Sequence, residues 1–518
     1  MELPREGLGS GGPRPAAGPC LGDAGAGRRA AGAGGDQARA RLAEALRPRA
    51  GDRRNGSAAV NLDPFFRPRS VAVVGAGERA TSSGGAVMRN LAIAGFAGRV
   101  VPVNPKGGTI FGHAAKTSIS DIGEPADLCV IVIRPDLIPG ALDEAGRSGH
   151  RNVLILPGGF AEAGAEGAAR DRETRGIAAR HGITVAGPNC AGLISLAPDR
   201  RFAATFLRDM PPGPNAKGEV ALISQSGAIA EEAIAAANAR HIPLGTVVSV
   251  GNAMHLGVTE YLAYLGAQDR VSAVLLYIES VADPAGFVAA CRAVAAKKPV
   301  IALMGGRTAP GSRAAGAHTG AAATDDAAID TFLAEAGAIR VRSLRRLMLA
   351  AKGFGAFPAG TGRRVLVLSN SGGPGVICAD EAAAGGLELA PLPEAMGAAL
   401  AANLPAEASV ANPIDLLADA REDRFRMAFR ALLDHGLDGY DAVLGIHVVP
   451  FMVDADPVVA ALAELAGECP VPFMHAMMGT LPHRADWFAK LEAAGVPAFD
   501  DVEQMAECAA LLARYGTS

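Results

Sequence analysis

The stretch VAVVGAG, residues 71–77, is a continuous apolar run that ends in glycines, and a helix-compatible stretch follows it. Further short runs rich in β-branched residues come next along the chain: VVPVNPK (100–106), LCVIVI (128–133), NVLILPGG (152–159) and TVAGPNC (184–190). Short apolar strands that alternate with alanine-rich helical segments predict βαβ units and a parallel sheet buried on both faces. We therefore expect an α/β fold.

The same pattern recurs twice more along the chain. Breaks rich in proline and glycine lie at residues 209–218 and 357–364, and each precedes a new series of apolar runs. The runs of the two series are VALISQSG (220–227), TVVSVGN (246–252), AVLLYIES (273–280), PVIALMGG (299–306), VLVLSNSGGPG (365–375), DAVLGIHVVP (441–450) and PVPFMHAMM (470–478). Three successive open α/β units are predicted. Such sheets bind ligands at the carboxyl ends of their strands, so the loops there are the candidate sites.

The composition excludes several classes of function. The 518 residues carry a net charge of −4 and only 4% aromatic residues, which argues against nucleic acid as a partner. Seven cysteines without paired spacing predict reduced thiols and no metal framework. No apolar run reaches the roughly 18 residues that a membrane helix needs. The composition thus predicts a soluble, cytoplasmic protein that binds neither nucleic acid nor membrane.

Residues 1–60 differ from the rest of the chain. They consist mainly of Gly, Ala, Arg and Pro and contain few large apolar side chains, so we expect a disordered N-terminal extension. The segment has no apolar core of a signal peptide, and its acidic residues argue against a transit peptide. An over-extended gene start gives the same pattern.

The loop GAGERATSSGG (75–85) follows a predicted strand and leads into a predicted helix. Gly75 and Gly77 allow a close approach of the backbone to a ligand, and a helix amino terminus favours a phosphate. The loop is not a full G-x-G-x-x-G, and a tight strand-to-helix turn explains it equally well. Lys106 ends the next strand, where it either meets an anionic ligand or is a solvated charge.

Two further residues follow the strand that begins at residue 184. Asn189 is suited to orienting a carbonyl or phosphate oxygen. Cys190 is a candidate nucleophile, although no histidine stands nearby in the sequence. We favour Cys190 as a small apolar residue that packs beside a ligand.

The turns SQSGAIAEE (224–232) and SNSGGPGV (369–376) have the same pattern of strand, small polar residues, glycine and helix. The free amides at such helix starts hold anions, so these turns together suggest phosphorylated ligands. Glu279 ends another apolar strand and by default faces solvent. If it faces a histidine, its carboxylate accepts the Nδ1 proton and raises the basicity of Nε2.

The ordered motifs GPNCAGLIS, SQSGAI, GRTAPGSRAAGAHTGA and SNSGGPGV resemble one family over roughly residues 62–515. It is the family of NDP-forming acyl-CoA synthetases, relatives of the succinyl-CoA synthetase α subunit. The resemblance implies a Rossmann-like CoA-binding domain at 62–200 and two flavodoxin-like ligase domains at 215–357 and 362–515. It also implies a reversible reaction in which a carboxylic acid, CoA and ATP give acyl-CoA, ADP and phosphate.

The resemblance also assigns roles to residues. His318, in AAGAHTGAAA (314–323), matches the phosphorylated histidine, and we expect it on a bare loop that lets it swing between two sites. Glu279 matches the acid that steadies this histidine. The resemblance places the phosphate-binding and CoA-binding groups at Ser226, Gly227, Gly320, Gly75, Gly77, Lys106, Asn189 and Cys190.

Two departures from the family pattern stand at Met304, where a lysine is usual, and at His255, where an acid is common. In addition, nothing in the sequence resembles the ATP-grasp domain that binds ATP and Mg²⁺. The resemblance therefore implies an α subunit that forms a hetero-oligomer with a separate ATP-grasp β subunit. The sequence does not identify the small carboxylic acid.

Two other functions compete with a catalytic α subunit. The first is a CoA or acyl-CoA sensor or scaffold that has lost catalysis, which Met304 and His255 leave open and which His318 with Glu279 argues against. The second is an NAD dehydrogenase. It is disfavoured because VPVNPK has a lysine where an acid that binds ribose is expected.

Overall fold

The computed structural model describes residues 60–199, 201–319, 325–450 and 454–516, without the side chains of residues 315–319. The predicted N-terminal extension lies outside the described residues, apart from Val60. Within the described part, three largely parallel sheets are covered by helices, which confirms the predicted α/β class. None of the helices in these ranges is long and apolar enough to cross a bilayer.

The first sheet is built from residues 70–186. Its strands are β1 (Ser70–Val74), β2 (Arg99–Val103), β5 (Leu128–Ile131), β6 (Asn152–Ile155) and β7 (Thr184–Ala186), with a small hairpin of β3 (Thr109–Ile110) and β4 (His113–Ala114). Its helices are α1 (Asp63–Phe66), α2 (Ser83–Ile93), α3 (Ile138–Arg147) and α4 (Gly164–His181). The parallel order β2-β1-β5-β6-β7 creates a switch point between the carboxyl ends of β1 and β5, where α/β sheets bind ligands.

The second sheet extends from residue 192 to residue 341. Its strands are β8 (Gly192–Ser195), β9 (Phe202–Thr205), β10 (Glu219–Ser224), β11 (Leu244–Ser249), β12 (Val271–Ile278), β13 (Val300–Met304) and β14 (Ile339–Val341). Its helices are α5 (Gly227–Arg240), α6 (Val258–Gly266), α7 (Pro284–Ala295), α8 (Ala309–Thr319), α9 (Asp326–Glu335) and α10 (Leu344–Ala356). The order is β14-β13-β12-β10-β11-β8-β9, and its switch point lies between β10 and β12. The antiparallel strands β8 and β9 extend this sheet. From the sequence we expected residues 192–200 in the first domain, so this pairing crosses the expected boundary.

The third sheet contains β15 (Arg364–Ser369), β16 (Glu388–Leu389), β17 (Ile414–Asp415), β18 (Ala442–Val449), β19 (Phe473–Gly479) and β20 (Ala498–Phe499). Its helices are α11 (Gly372–Ala384), α12 (Glu394–Asn403), α13 (Glu422–His435), α14 (Asp456–Ala466), α15 (Arg484–Ala493) and α16 (Val502–Gly516). The parallel order is β16-β15-β18-β19-β20, with β17 also paired to β15. The carboxyl end of β15 therefore leads into α11 as that of β10 leads into α5.

The second and third sheets share one apolar core. Residues of α5, α10, α11 and α16 belong to a single cluster of buried side chains. Lys352 of α10 is 4% exposed, and its Nζ donates to the carbonyl of Arg240 at 2.9 Å and to the carboxylate of Glu492 on α15. Burial raises the pKa of Glu492, and the charge of Lys352 opposes that rise. This buried pair and the shared core fix the position of the third sheet against the second.

Two histidines are buried within the third sheet without hydrogen-bond partners. His447 on β18 and His475 on β19 are both 0% exposed, and none of their ring nitrogens has a partner among the described residues. Their ring centroids lie 6.5 Å apart, and the phenyl rings of Phe425 and Phe473 pack against them. Burial lowers the pKa of His447 to about 4, and burial together with His447 lowers the pKa of His475 to about 3.

These lowered pKa values predict a stability that decreases in acid. Below the ordinary histidine pKa of about 6.5 the unfolded chain binds protons that the folded chain does not, so unfolding becomes easier as the pH falls towards 4 and 3. At about pH 5 the two imidazoles together cost about 4 kcal/mol relative to neutral pH. Urea unfolding followed by the fluorescence of Trp487, the single tryptophan, measures this change. The double variant His447→Leu/His475→Leu is expected to lose most of the pH dependence, and the exposed control His435→Leu is expected to keep it. Equal dependence in both variants contradicts the prediction.

Candidate functional site

A cavity of about 1010 Å³ opens where the first sheet meets the second. One wall is formed by the loops after β1, β5, β6 and β7, and the other by the start of α5. Four of the predicted site residues line it: Gly75, Asn189, Cys190 and Gly227. The cavity therefore joins the switch point of the first sheet to the helix start of the second.

The close packing of α2 and its preceding loop against the first sheet requires glycine at two positions, Gly75 and Gly84. Gly75 has a φ of +91°, and a Cβ there would lie 2.4 Å from the carbonyl oxygen of Val132. A Cβ on Gly84 would lie 2.0 Å from the carbonyl oxygen of Gly75, so α2 approaches β1 closely only without side chains. Gly77 is different, because a Cβ there meets nothing within 4 Å and Gly77 does not line the cavity. The tight-turn interpretation thus accounts for Gly75, which also borders the cavity.

Two arginines line the cavity that were not among the site residues predicted from the sequence. Arg79, in the loop before α2, and Arg134, after β5, both line the cavity and are largely exposed. Lys106 is exposed and does not line it. The arginine in the glycine-containing loop was the available signal, since an arginine beside a helix amino terminus is suited to a phosphate.

Asn189 is held in a polar network that links the two sheets. Its backbone adopts the left-handed region with a φ of +56°, and its Nδ2 donates to Oδ1 of Asn252 at 3.2 Å. Asn252 in turn donates to Glu162, whose other oxygen accepts the backbone amides of Gly159 and Phe160. Burial raises the pKa of Glu162, but these hydrogen bonds outweigh it and lower the pKa overall. The network fixes Asn189 at the cavity wall.

Cys190 is a poor nucleophile in this position. Its side chain is 4% exposed, and its Sγ lies 3.4 Å from the carbonyl oxygen of Ile155. Burial raises the pKa of the thiol to about 12, so the reactive thiolate is absent at neutral pH. The geometry favours the role of a small packing residue in the cavity wall.

The turn between β10 and α5 presents backbone amides to the cavity. Ser224 Oγ accepts the amide of Ser226 at 3.2 Å and donates to its carbonyl at 2.7 Å, which fixes the turn. Ser226 is the N-cap, and its Oγ accepts the amide of Ile229 at 3.4 Å. The amides of Gly227 and Ala228 donate to no acceptor among the described residues, and both residues line the cavity. A helix start with two available amides is suited to an anion.

Glu279 lies immediately after β12, beside this turn. Gln225 Oε1 accepts the backbone amides of Glu279 and Ser280, and its Nε2 donates to the carbonyl of Ser280 at 2.9 Å. The hydroxyl of Tyr277 donates to Glu279 Oε1 at 3.2 Å. The backbone of Glu279 is therefore held against the turn that starts α5, as expected from the adjacent positions of β10 and β12, although Glu279 does not line the cavity.

His318 lies near the end of α8, so the expectation of a bare loop is wrong for its backbone. Alanines favour a helix, and the proline in the first turn of α8 suits a helix start, so local propensity outweighs the glycines. The imidazole of His318 and the whole of Gly320 lie outside the described residues. The chain reaches α8 from β13 through Gly305, whose amide donates to the carbonyl of Ile278 at 2.9 Å, next to Glu279.

The turn between β15 and α11 repeats the geometry of the turn between β10 and α5. Ser369 Oγ contacts both backbone groups of Ser371, as Ser224 does for Ser226. Asn370 exchanges two hydrogen bonds with the backbone of Val448 on β18, in the position that Gln225 takes towards β12. Ser371 makes no capping bond, and the residue at the position of Glu279 is the apolar Val448. The acid is thus specific to the second sheet.

The two departures from the family pattern have structural explanations. Met304 is 4% exposed and belongs to the apolar core between the first two sheets. His255 Nδ1 accepts the backbone amide of Val185 on the edge strand β7 at 3.1 Å, which a carboxylate oxygen does equally well. Neither residue lines the cavity. Within the described ranges, no cluster of His, Cys, Asp or Glu side chains is suited to a metal ion.

Family comparisons match the first two sheets. The sequence model of a CoA binding domain matches residues 69–195, and that of the succinyl-CoA ligase-like flavodoxin domain matches residues 217–354. The solved structure of the dinucleotide-forming acetyl-coenzyme A synthetase 1 of Ca. Korarchaeum cryptofilum, in complex with phosphate and ADP, is 28% identical. It superposes with a TM-score of 0.81 over 88% of this chain and 97% of that chain.

Two relatives are similar over most of the chain. The 4-hydroxybutyrate–CoA ligase (ADP-forming) of Nitrosopumilus maritimus is 31% identical over 80% of this chain, which spans only 59% of that relative. The α subunit of acetate–CoA ligase (ADP-forming) II of Pyrococcus furiosus is 34% identical over 86% of this chain and 96% of its own length. The chain therefore belongs to the family of ADP-forming acyl-CoA ligase α subunits, which is related to succinyl-CoA ligase.

Proposed function

We propose that this chain is the α subunit of an NDP-forming acyl-CoA synthetase, which reversibly converts a carboxylate, CoA and ATP into acyl-CoA, ADP and phosphate. The observation that carries the proposal is one continuous cavity, which joins the loops of the first sheet to the start of α5. A thiol delivered from the first sheet and a phosphoryl group held at the second meet in this space. An acyl phosphate and a thiol must meet in this way for acyl-CoA to form.

The CoA side of the reaction is assigned to the first sheet. Arg79 supplies positive charge for the phosphates of CoA, and Arg134, which is paired with Asp136 at 2.9 Å, lines the same cavity. The close packing of Gly75 holds the loop after β1 against the loop after β5. Asn189 and Cys190 line the path of the pantetheine arm towards α5. Gly77 and Lys106 do not line the cavity, so we keep them only as weaker candidates for contacts with CoA.

The phosphoryl side is assigned to the second sheet. The amides of Gly227 and Ala228, with Ser226 as the cap, hold the phosphoryl group, and Gly320 adds to this set. His318 Nε2 attacks the phosphorus of the acyl phosphate, an N–P bond forms, and the P–O bond to the carboxylate breaks. Glu279 accepts the hydrogen bond from Nδ1–H and keeps Nε2 nucleophilic.

The nucleotide side is assigned to a second protein. The acetate–CoA ligase relative from Pyrococcus furiosus, which is named an α subunit, aligns with this chain over 96% of its own length. We propose a separate ATP-grasp subunit that binds ATP with Mg²⁺ and exchanges the phosphoryl group with His318 in a hetero-oligomer. A small carboxylic acid is the remaining substrate.

Labelling of His318 tests the phosphoryl relay. The complex with an ATP-grasp subunit is expected to acquire acid-labile, base-stable phosphate on this chain from radiolabelled ATP and Mg²⁺. The variant His318→Asn is expected to lose the label completely, because the proposed relay forms its N–P bond on this imidazole and an amide side chain does not replace it. The matched control His435→Asn changes an exposed histidine at the end of α13 and is expected to label as the wild type does. A label that survives His318→Asn, or a wild type without label, rejects the relay.

Calorimetric titration with CoA tests the assignment of the cavity. Arg79→Ala is expected to weaken binding about tenfold, since a hydrogen bond between charged groups contributes about 1.5 kcal/mol or more. Lys106→Ala removes an exposed lysine outside the cavity and is expected to change binding less than about twofold. The opposite order of effects places CoA away from the cavity and contradicts the assignment.

A further inference from the structure

We infer that Tyr277 is a positioning residue for phosphoryl transfer, acting through the carboxylate of Glu279; the inference rests on the proposed function. The hydroxyl of Tyr277 donates to Glu279 Oε1 at 3.2 Å, and both residues lie at the carboxyl end of β12. Holding one carboxylate oxygen fixes the plane of the group and therefore the direction of Oε2. The imidazole of His318 needs an acceptor in one defined direction to keep a single tautomer.

The phenol remains a donor over the whole working range of pH. The side chain of Tyr277 is half-buried, and burial, followed by the adjacent charge of Glu279, raises its pKa to about 12. A protonated phenol beside an ionised carboxylate forms a charge-assisted hydrogen bond, which is stronger than a bond between neutral groups. Tyr277 thus holds the carboxylate without taking part in proton exchange.

The backbone of Glu279 is held as firmly as its side chain. Gln225 takes the amides of Glu279 and Ser280 on one oxygen and returns a hydrogen bond to the Ser280 carbonyl. Since Gln225 belongs to the turn that starts α5, these hydrogen bonds fix the backbone of Glu279 relative to that turn. In the third sheet, Asn370 makes the equivalent hydrogen bonds to the backbone of Val448. These backbone bonds therefore belong to the fold, whereas the hydrogen bond between Tyr277 and Glu279 occurs only in the second sheet.

The pair also contacts the segment that leads to His318. A Cβ on Gly305 would lie 3.4 Å from the hydroxyl of Tyr277 and 3.8 Å from Cγ of Glu279. Gly305 follows β13 directly, and α8 begins four residues later. The segment that leads to α8 therefore passes within van der Waals contact of the hydroxyl and the carboxylate.

The test is a single-turnover discharge of the labelled complex. His318 is loaded from radiolabelled ATP in the complex with the ATP-grasp subunit, and label loss is followed after CoA and a panel of carboxylic acids are added. Tyr277→Phe removes one hydroxyl group and is expected to slow the discharge about tenfold, with the half-saturating acid concentration and CoA affinity unchanged. Tyr264→Phe is the matched control, because Tyr264 donates to the carboxylate of Asp63 at 2.8 Å, remote from the site. Its discharge is expected at the wild-type rate.

A double-mutant cycle distinguishes positioning from a structural role. If Tyr277 acts only through the carboxylate, Tyr277→Phe has no further effect on the discharge in a Glu279→Gln background, whereas independent effects multiply. Wild-type discharge by Tyr277→Phe, an equal loss in Tyr264→Phe, or multiplying effects overturns the inference. A wild-type complex that neither loads nor discharges rejects the proposed function instead, so the two failures are distinguishable.

Discussion

The backbone amides of Gly227 and Ala228 have no acceptor among the described residues, and the neighbouring residues of the turn leave these two amides unbonded. Ser226 caps only the third amide, Ser224 fixes the turn from below, and the cavity leaves the two amides open to solvent or ligand. Because helix amides at this position attract anions, this open helix start is the place in the cavity best suited to negative charge. The other parts of the site are arranged around it.

The arrangement follows from strand order. Parallel strands place their carboxyl ends at one edge, and the switch point between β10 and β12 brings the SQSG turn beside Glu279. The neighbouring strand β13 carries the chain past the same edge into α8. The third sheet reproduces the turn but has Val448 where the second has Glu279, and its Ser371 makes no capping bond where Ser226 does. The same scaffold thus occurs once with an acid beside the helix start and once without.

The periodicity of the sequence predicted the α/β class and most strands, since short β-branched runs suit strands buried on both faces. It did not predict that β8 pairs with β11, and β9 with β8, because antiparallel pairing between distant segments leaves no local pattern. The secondary structure of segments rich in both alanine and glycine was ambiguous, because alanine favours a helix and glycine favours a loop. AAGAHTGAAA was therefore expected as a loop, although the residues up to Thr319 are helical. The motifs placed Gly227, Glu279 and Asn189 just after the ends of strands, and the structure has them there, whereas their roles stay predictions.

Charged side chains were the least predictable part of the site. Lys106 lies three residues after the end of β2 and does not line the cavity, whereas Arg79 reaches the cavity wall from inside a glycine-containing loop. Strand ends specify where the backbone goes, but the direction of a long side chain depends on contacts with other elements. Tyr277 illustrates the same limit, since its position two residues before Glu279 places both on one face of β12 and its hydroxyl then meets the carboxylate. Alternation along a strand therefore places residues i and i+2 on one face, and the hydrogen bond forms only where, as at Tyr277 and Glu279, both side chains are polar.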